Sequence, residues 1–472
     1  MVNPYLSFRS QAESQPSKVC FVSSQISLTY GEMLDVVQRA SSWLVAKGVL
    51  PGQRLAIRTA DEFHSILTLA GLQLGCTTAS FVNVEVFERD GFHHLVCFDD
   101  PSFAFPKQIG IQSNWLAELV SIAPMQEVAD FDSDESLIRI VYSSGTTGLP
   151  KGVPFSVGSL QARLDAAGRN WMGTQPFMAL LGLMTVSGIQ TFYSQVFSGK
   201  TYFNPGNGAI NAKLISSNSV RSIKASPAQL RALLDACSQS PESLESLEQI
   251  QAAGSFLPDS LARKLQEQFG AEIVNLYGST ETGTVAVRKA FGKSQNEMGT
   301  LVPEATVEIV DESNNLLEAG QTGIVRVKTP NMADNYVSGS NDLGTGFIDG
   351  WFYPGDVGYL TEDATLFVTG RHKDLVNIGG LKFNLSYLDQ QVLNDQEITD
   401  ACVVELTDEA GFSYLGVAAV SNLDDPGTSV LKSLRTVVHS EVKITVHKVA
   451  EIPRNQNGKA LRLEVQELIG KK

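Results

Sequence analysis

The chain has 472 residues, 43% hydrophobic and 18% charged, so it holds enough apolar material for more than one folding unit. Its 36 Lys and Arg against 51 Asp and Glu give a net charge of -15, which argues against nucleic acid or an anionic membrane as its main partner. The five cysteines are scattered, and the sequence predicts neither a signal peptide nor an apolar stretch long enough to span a bilayer. We therefore expect a cytoplasmic protein without disulfides or a zinc site.

Helix and strand signals alternate in the first part of the chain. Thr29 and Glu32 have capping-box spacing ahead of an amphipathic helix that Gly48 ends. A predicted strand at 54–59 and a predicted helix ending at Gly75 follow. This order predicts an α/β arrangement.

Two further helices are predicted at 226–237, where Ser226 is the cap, and at 258–269. Between 300 and 330, apolar and polar residues alternate around two turn sequences, which predicts a strand-turn-strand unit in a β-rich subdomain.

From about residue 371 the pattern becomes a self-contained mixture of elements. Strands are predicted at 401–406 and 414–421, and helices near 386–394 and 428–440. We therefore expect a large domain at 1–370 and a small α+β domain at 371–472.

The chain from residue 431 onward carries nine Lys or Arg against four Glu, a basic excess within an acidic protein. This stretch is either a solvated face or a docking surface for an acidic carrier or a nucleotide tail.

The segment 141–153, VYSSGTTGLPKGV, is rich in glycine and hydroxyl residues. Glycines allow close backbone approach, successive N–H groups form an anion-binding nest, and a lysine adds a cation. The segment is therefore predicted to hold phosphate oxygens, although its order differs from the GxxxxGK[ST] loop. The candidate residues are Ser143, Ser144, Gly145, Thr146, Thr147, Gly148 and Lys151.

YSSGTTGLPKGV resembles the phosphate loop of the adenylate-forming superfamily, which contains acyl-CoA synthetases, peptide-synthetase adenylation domains and beetle luciferases. Four later segments, reaching residue 462, resemble further signatures of that superfamily in the right order. The resemblance implies a large N-terminal domain of β-sheets with packed helices and a β-rich subdomain, followed by a small mobile α+β domain.

LYGSTETG at 276–283 resembles the second signature. The resemblance implies that Tyr277 packs on adenine, Thr280 contacts the α-phosphate and Glu281 holds Mg²⁺. An aromatic face suits a purine, and an oxygen ligand suits magnesium. The same resemblance adds Gly278 and Ser279 to the nucleotide site and makes Thr147 a second candidate magnesium ligand.

WFYPGDVGYL at 351–360 is similar to a third signature, in which Asp356 would accept hydrogen bonds from both ribose hydroxyls. Pro354 stands where the superfamily usually has threonine. In the next segment, GRHKDLVNIGGLKFN at 370–384, the resemblance implies that Arg371 also reaches the ribose.

The same segment resembles the superfamily's interdomain hinge, and the resemblance implies that Lys373 lies at the pivot. Gly379 and Gly380 fall where a pantetheine arm passes the backbone. Downstream, LSYLDQ departs from the usual acidic pattern, which leaves the contacts to the thiol partner open.

PRNQNGKALR at 453–462 resembles the terminal signature, in which Lys459 inserts into the site of the large domain. A lysine there would bridge the substrate carboxylate and the α-phosphate and stabilise the charge that develops on phosphorus.

The segment 176–200 aligns with the superfamily's acid-pocket helix and contains no Asp or Glu. A buried substrate ammonium without an acidic partner would be costly, so we expect an alkyl or aryl acid rather than an α-amino acid. An apolar pocket is indicated by Met178, Leu181, Met184, Val186, Ile189 and Phe192, and several of these residues are also expected in the core. The candidate pocket residues are Thr185, Val186, Ser187, Gly188, Ala253 and Gly254.

The implied reaction consumes ATP with Mg²⁺, forms an acyl-adenylate and passes the acyl group to a thiol while the small domain rotates. CoA is the favoured acceptor, and the phosphopantetheine of a carrier protein is the alternative. A non-catalytic nucleotide-binding protein is the alternative from another class. Whether the chain forms a homodimer is left open.

Overall fold

The fold comes from a computed structural model. It describes residues 3–59, 61–98, 105, 107–143, 150–170, 173–239, 243–289, 291, 296–339, 345–378, 381–408, 412–454 and 460–470.

The first unit is a helix-flanked sheet. Its elements are α1 Tyr5–Ser14, β1 Val19–Val22, β2 Ser27–Thr29, α2 Tyr30–Ala46, β3 Arg54–Arg58, α3 Asp61–Gln73, β4 Thr77–Ser80, α4 Val84–Arg89, β5 His94–Phe98, β6 Gln108–Ile111, α5 Trp115–Leu119, β7 Leu137–Ser143 and β8 Lys151–Ser156. The strand order is β6-β5-β3-β4-β7-β8, parallel except for the antiparallel pair β7-β8.

Helix α2 confirms the predicted capping box. The backbone N–H of Glu32 donates to Thr29 Oγ1 at 3.3 Å, and the N–H of Thr29 donates to Glu32 Oε2 at 2.8 Å. Gly48 follows with a φ of +89°, a left-handed conformation that suits the predicted helix end.

The second unit begins a larger sheet. Its elements are α6 Val157–Asn170, β9 Phe177–Ala179, α7 Val186–Phe197, β10 Tyr202–Phe203, α8 Gly208–Ser217, β11 Ser222–Ala225, α9 Pro227–Gln239, β12 Gln249–Ala253, α10 Asp259–Phe269, β13 Glu272–Ser279 and β14 Gly283–Arg288. Strands β9, β11, β12 and β13 are parallel neighbours, and β14 returns antiparallel to β13. Separately, β10 pairs with β1.

An antiparallel unit extends the larger sheet. Its strands are β15 Glu297–Leu301, β16 Thr306–Val310, β17 Gly323–Lys328, β18 Gly346–Ile348, β19 Trp351–Tyr353, β20 Asp356–Leu360 and β21 Thr365–Arg371. The order β18-β19-β17-β20-β21-β15-β14 continues into β13. The predicted strand-turn-strand unit is confirmed, because β16 and β17 pair antiparallel.

The remaining elements form a mixed unit. They are a 3₁₀ turn at His372–Asp374, β22 Leu375–Ile378, β23 Leu381–Asn384, α11 Leu385–Leu393, β24 Ile398–Thr407, β25 Ser413–Ser421, α12 Gly427–Leu434, β26 Ile444–Lys448 and α13 Arg462–Gly470. Its two buried apolar clusters draw on residues 378–469 of the described chain. Helix α12 ends earlier than the predicted 428–440.

Within the described ranges, no helix has the length and hydropathy needed to cross a bilayer.

Candidate active site

The predicted phosphate segment joins two antiparallel strands of the first sheet. Ser143 ends β7, Lys151 begins β8, and the two residues are paired, with Ser143 Oγ donating to the Lys151 carbonyl at 3.3 Å. Arg89 Nη2 donates to the Pro150 carbonyl at 2.8 Å and so anchors the chain before Lys151. Five of the predicted phosphate-contacting residues, Ser144, Gly145, Thr146, Thr147 and Gly148, lie outside the described residues.

A tyrosine from a later loop connects this segment to the predicted magnesium ligand. The Tyr336 hydroxyl donates to Glu281 Oε1 at 3.0 Å, and the Lys151 ammonium lies 4.9 Å from the centroid of the Tyr336 ring. Lys151 and Glu281 therefore both approach the Tyr336 side chain, one at its ring and the other at its hydroxyl, although 130 residues separate them in the sequence.

The turn that carries Thr280 and Glu281 is held by side-chain hydrogen bonds from within the turn and from Thr329. The N–H of Thr282 donates to Ser279 Oγ at 3.2 Å, and Thr329 Oγ1 donates to the Thr282 carbonyl at 3.0 Å. A Cβ on Gly278 would lie 2.0 Å from a backbone carbonyl oxygen of β14, so the tight turn requires glycine there.

Arg163 of α6 binds the backbone carbonyls of the same turn. It donates to the carbonyls of Thr280 at 3.0 Å, Glu281 at 2.5 Å and Asn331 at 2.9 Å. Its residue is 5% exposed, and its guanidinium lies 4.6 Å from the Phe155 ring centroid. Burial lowers the pKa of Arg163 to about 10, and the nearby Glu281 carboxylate partly offsets this shift, so Arg163 stays protonated at neutral pH.

We expect Arg163→Met to lower the free energy of unfolding by about 2–4 kcal/mol, because it leaves one buried and two partly buried carbonyls without their donor. Urea denaturation measures this change, and nucleotide affinity is expected to fall with it. The control is Arg169→Met on the same helix, since the Arg169 side chain is 61% exposed. Equal stability of the two variants would contradict an anchoring role for Arg163.

The predicted ribose acceptor lies between two donors. Tyr277 Oη donates to Asp356 Oδ2 at 2.5 Å, and Arg371 Nε lies 2.8 Å from Asp356 Oδ1. Burial and the neighbouring Asp356 carboxylate raise the pKa of Tyr277 well above its usual range, so the phenol remains a donor. Each carboxylate oxygen keeps a second lone pair for a ligand hydroxyl.

Arg371 is held by a second acceptor besides Asp356. The Asp356 carboxylate is the main cause that raises the pKa of Arg371, and Glu281 contributes in the same direction. Arg371 Nη1 donates to the Pro354 carbonyl at 2.6 Å. The backbone carbonyl of Pro354, which proline retains, therefore helps to position Arg371.

The segment that carries Lys459 is anchored on both sides. Lys459 itself lies outside the described residues, but Arg454 pairs with Asp400 at 2.5 Å and Arg462 pairs with Asp389 at 2.5 Å. The N–H of Leu461 donates to the Pro453 carbonyl at 2.9 Å. The ends of the segment are therefore held together on the small unit.

Arg462 connects that segment to the predicted hinge. Its Nη2 lies 3.4 Å from Asp374 Oδ2, next to Lys373, which is exposed in the 3₁₀ turn. The predicted pantetheine residues Gly379 and Gly380 lie outside the described residues.

The candidate acid-pocket residues fall in two places. Thr185 caps α7, because its Oγ1 accepts the Gly188 N–H at 3.0 Å, and Val186 and Ser187 begin the helix. A Cβ on Gly188 would lie 2.0 Å from the Gly182 carbonyl oxygen, so glycine is required for packing. The other two residues are Ala253, which ends β12, and Gly254, which has a φ of +90°.

Most of the apolar residues of 176–200 belong to the core. Met178 lies in the cluster around β11 and β12, and Ile189 and Phe192 lie in the cluster of the first unit. Met184, by contrast, is 43% exposed. The predicted apolar pocket therefore has fewer candidate lining residues than the sequence pattern indicates.

Glu281 has the chemistry of a magnesium ligand. Its residue is 5% exposed, and no salt bridge to its carboxylate is formed within the described chain. No group of three or more described His, Cys, Asp or Glu side chains is arranged to hold a metal. A single carboxylate fits Mg²⁺ that takes its remaining ligands from phosphates and water.

Comparison with known proteins agrees with these features. Residues 88–337 match the family described as AMP-binding enzyme. The 4-chlorobenzoate–CoA ligase of Arthrobacter sp. is 26% identical over 504 residues, covering 97% of this chain and 94% of that protein. The fatty acid–[acyl-carrier-protein] ligase ScoC of Streptomyces coeruleorubidus is 23% identical over 494 residues, covering 97% and 94%.

The fold also matches solved structures. The o-succinylbenzoate coenzyme A synthetase of Bacillus subtilis in complex with AMP superimposes with a TM-score of 0.82 at 21% identity, covering 98% of each chain. The predicted mixed fold of the whole chain is thereby confirmed.

Proposed function

The chain belongs to the family of AMP-binding enzymes, and from that membership we propose that it joins a carboxylic acid to a thiol at the expense of ATP. A carboxylate oxygen of the acid attacks the α-phosphorus of ATP, and pyrophosphate leaves as the bond between the α-phosphorus and the bridging oxygen breaks. The thiolate sulfur then attacks the acyl carbon, and AMP leaves. The overall products are a thioester, AMP and pyrophosphate.

One observation carries this proposal. The predicted adenine and ribose contacts meet directly, because Tyr277 donates to Asp356 and Arg371 pairs with it, and the buried Glu281, the predicted magnesium ligand, accepts a hydrogen bond from Tyr336. A protein that only kept the fold would have little need for all four groups.

In the proposed mechanism, Asp356 and Arg371 hold the ribose and Tyr277 borders the adenine. Lys151 adds positive charge beside the phosphates, and Arg163 and Tyr336 position Glu281. Glu281 would hold Mg²⁺, which when bound neutralises phosphate charge. Adenylation mainly requires positioning and charge neutralisation, and Lys459 is proposed to supply the remaining cation at the reacting oxygens.

The acid is proposed to be alkyl or aryl, since 176–200 offers no carboxylate for a substrate ammonium. CoA is the proposed acceptor, as in the name of the Arthrobacter relative. A carrier protein is the second candidate, because Lys432, Arg435 and Lys443 are exposed on the small unit and the Streptomyces relative is named for that acceptor. The proposed location is the cytoplasm, in keeping with five free cysteines.

The test measures pyrophosphate release from ATP and Mg²⁺ across alkyl, aryl and amino acids, with hydroxylamine present and with or without CoA. We expect release with an alkyl or aryl acid that CoA accelerates. Release that CoA does not change would favour a carrier protein as acceptor. No release with any acid would favour a non-catalytic nucleotide-binding protein.

A further inference from the structure

Lys224 is a buried lysine without an acidic partner among the residues that the structure describes. It lies in β11, and its residue is 7% exposed. Within the residues that the structure describes, its ammonium forms neither a salt bridge nor a hydrogen bond. The protein therefore buries a cation that its own described side chains do not neutralise.

Other buried cations in the chain are compensated differently. Arg288 pairs with Asp259 at 3.2 Å. Arg139 donates to the Leu183 carbonyl at 3.0 Å and to Ser80 Oγ at 2.9 Å. These contacts explain both arginines as parts of the folded structure, whereas Lys224 has no equivalent set of acceptors among the described residues.

Strand register shows which way Lys224 points. Its neighbours Ile223 and Ala225 belong to the apolar cluster on one face of the sheet. Because side chains alternate along a strand, Lys224 projects from the opposite face. In the parallel pairing, Lys224 lies beside Gln251, and Ala253 is two residues further along the same face of β12.

That face connects both parts of the candidate acid pocket. Ala253 and Gly254 end and follow β12 on one side of β11. On the other side, Lys224 is paired with Ala179, the last residue of β9, and its carbonyl accepts the Leu180 N–H at 2.8 Å. The chain then runs from Leu180 to the Thr185 cap of α7. Lys224 therefore lies on the strand between the two segments that the superfamily resemblance assigns to the acid pocket.

Burial lowers the pKa of Lys224 to about 8, so the amine is still mostly protonated at pH 7. Neither of its cross-strand neighbours, Ala179 and Gln251, ionises, and no described acidic residue contributes to the shift. An anion from outside the chain would relieve this unfavourable burial.

This inference rests on the proposed function. We propose that Lys224 determines substrate specificity by pairing with a second carboxylate of the acid, so that the preferred substrates are dicarboxylic acids activated at the other end. The first carboxylate reacts with the α-phosphorus, and the second stays ionised against the Lys224 ammonium.

The test compares wild type and Lys224→Met with matched acids: hexanoate against hexanedioate, octanoate against octanedioate, and benzoate against benzene-1,3- and 1,4-dicarboxylate. Pyrophosphate release gives kcat/KM for each. We expect wild type to prefer at least one dicarboxylate over its partner by about 30-fold or more, and the variant to lose that preference. The control is Lys213→Met, which removes an exposed lysine from α8.

Thermal unfolding separates a specificity role from a structural one. Lys224→Met removes a buried charge that no described residue neutralises, so its Tm is expected to equal or exceed that of wild type. A dicarboxylate added with AMP is expected to raise the Tm of wild type but not that of the variant.

Three outcomes would overturn the inference. They are a wild-type preference for monocarboxylates, a dicarboxylate preference that survives in the variant, and a lower Tm of the variant together with an equal loss of kcat/KM for monocarboxylates and dicarboxylates. If no acid releases pyrophosphate, the proposed function fails. The Tm response to dicarboxylates then still decides whether Lys224 binds the second carboxylate.

Discussion

Replacing Lys459 with alanine is expected to lower the rate of acyl-adenylate formation by roughly 100- to 1000-fold, the range seen when one preorganised charge-stabilising group is removed from a transition state. ATP affinity is expected to change little, because the proposed ribose and adenine contacts come from Tyr277, Asp356 and Arg371. The expected signature is a fall in kcat at nearly constant KM for ATP.

Two ion pairs on the small unit support this expectation. Arg454 with Asp400, and Arg462 with Asp389, hold the ends of the segment that carries Lys459. Because these anchors remain in Lys459→Ala, the variant is expected to unfold at the wild-type temperature.

The measurement is single-turnover pyrophosphate release with saturating ATP, together with calorimetric titration of ATP. Lys432→Ala is the control, since Lys432 is an exposed lysine of the same unit. Wild-type adenylation by Lys459→Ala would show that the role assigned to this lysine is wrong.

Asp356→Asn is expected to weaken AMP and ATP binding by about 10- to 100-fold, which corresponds to the loss of charged hydrogen bonds. The carboxylate accepts from Tyr277 and pairs with Arg371, so the substitution disturbs both neighbours as well as the proposed ribose contact. The main effect should fall on the KM for ATP, in contrast to Lys459→Ala.

Calorimetric titration of AMP measures this loss directly. Asp363→Asn is a matched control, because Asp363 lies in the exposed turn that joins β20 and β21, the strands that position Asp356 and Arg371. An unchanged AMP affinity in Asp356→Asn would contradict the assignment of this carboxylate to the ribose.

Local sequence signals predicted several parts of the fold. The capping box at Thr29 and Glu32, the cap at Ser226 and the pairing of β16 with β17 are confirmed, because each depends on residues close together in the chain. Helix α12 is shorter than predicted, because it ends at Leu434 and not near residue 440. The β-branched run of Thr436, Val437 and Val438 follows its end at Leu434 and disfavours further helix.

The site contains residues that sequence patterns could not identify. Arg163 and Tyr336 lie outside every signature, and their contacts reach Glu281 across 118 and 55 residues. In the sequence, Lys224 is one polar residue in a short strand, and only the strand register shows which face of the sheet it occupies. These residues are identified by their long-range contacts or by the absence of a described acidic partner, and local sequence spacing predicts neither.

Acyl-adenylate formation is the central claim, and isotope transfer tests it most directly. An accepted acid labelled with ¹⁸O in both carboxylate oxygens is incubated with the protein, ATP, Mg²⁺ and CoA, and the AMP is analysed by mass spectrometry. If a carboxylate oxygen attacks the α-phosphorus and the thiol then displaces AMP from the acyl carbon, each AMP carries one ¹⁸O. Unlabelled AMP, or release of ADP and phosphate instead, would contradict the proposed reaction.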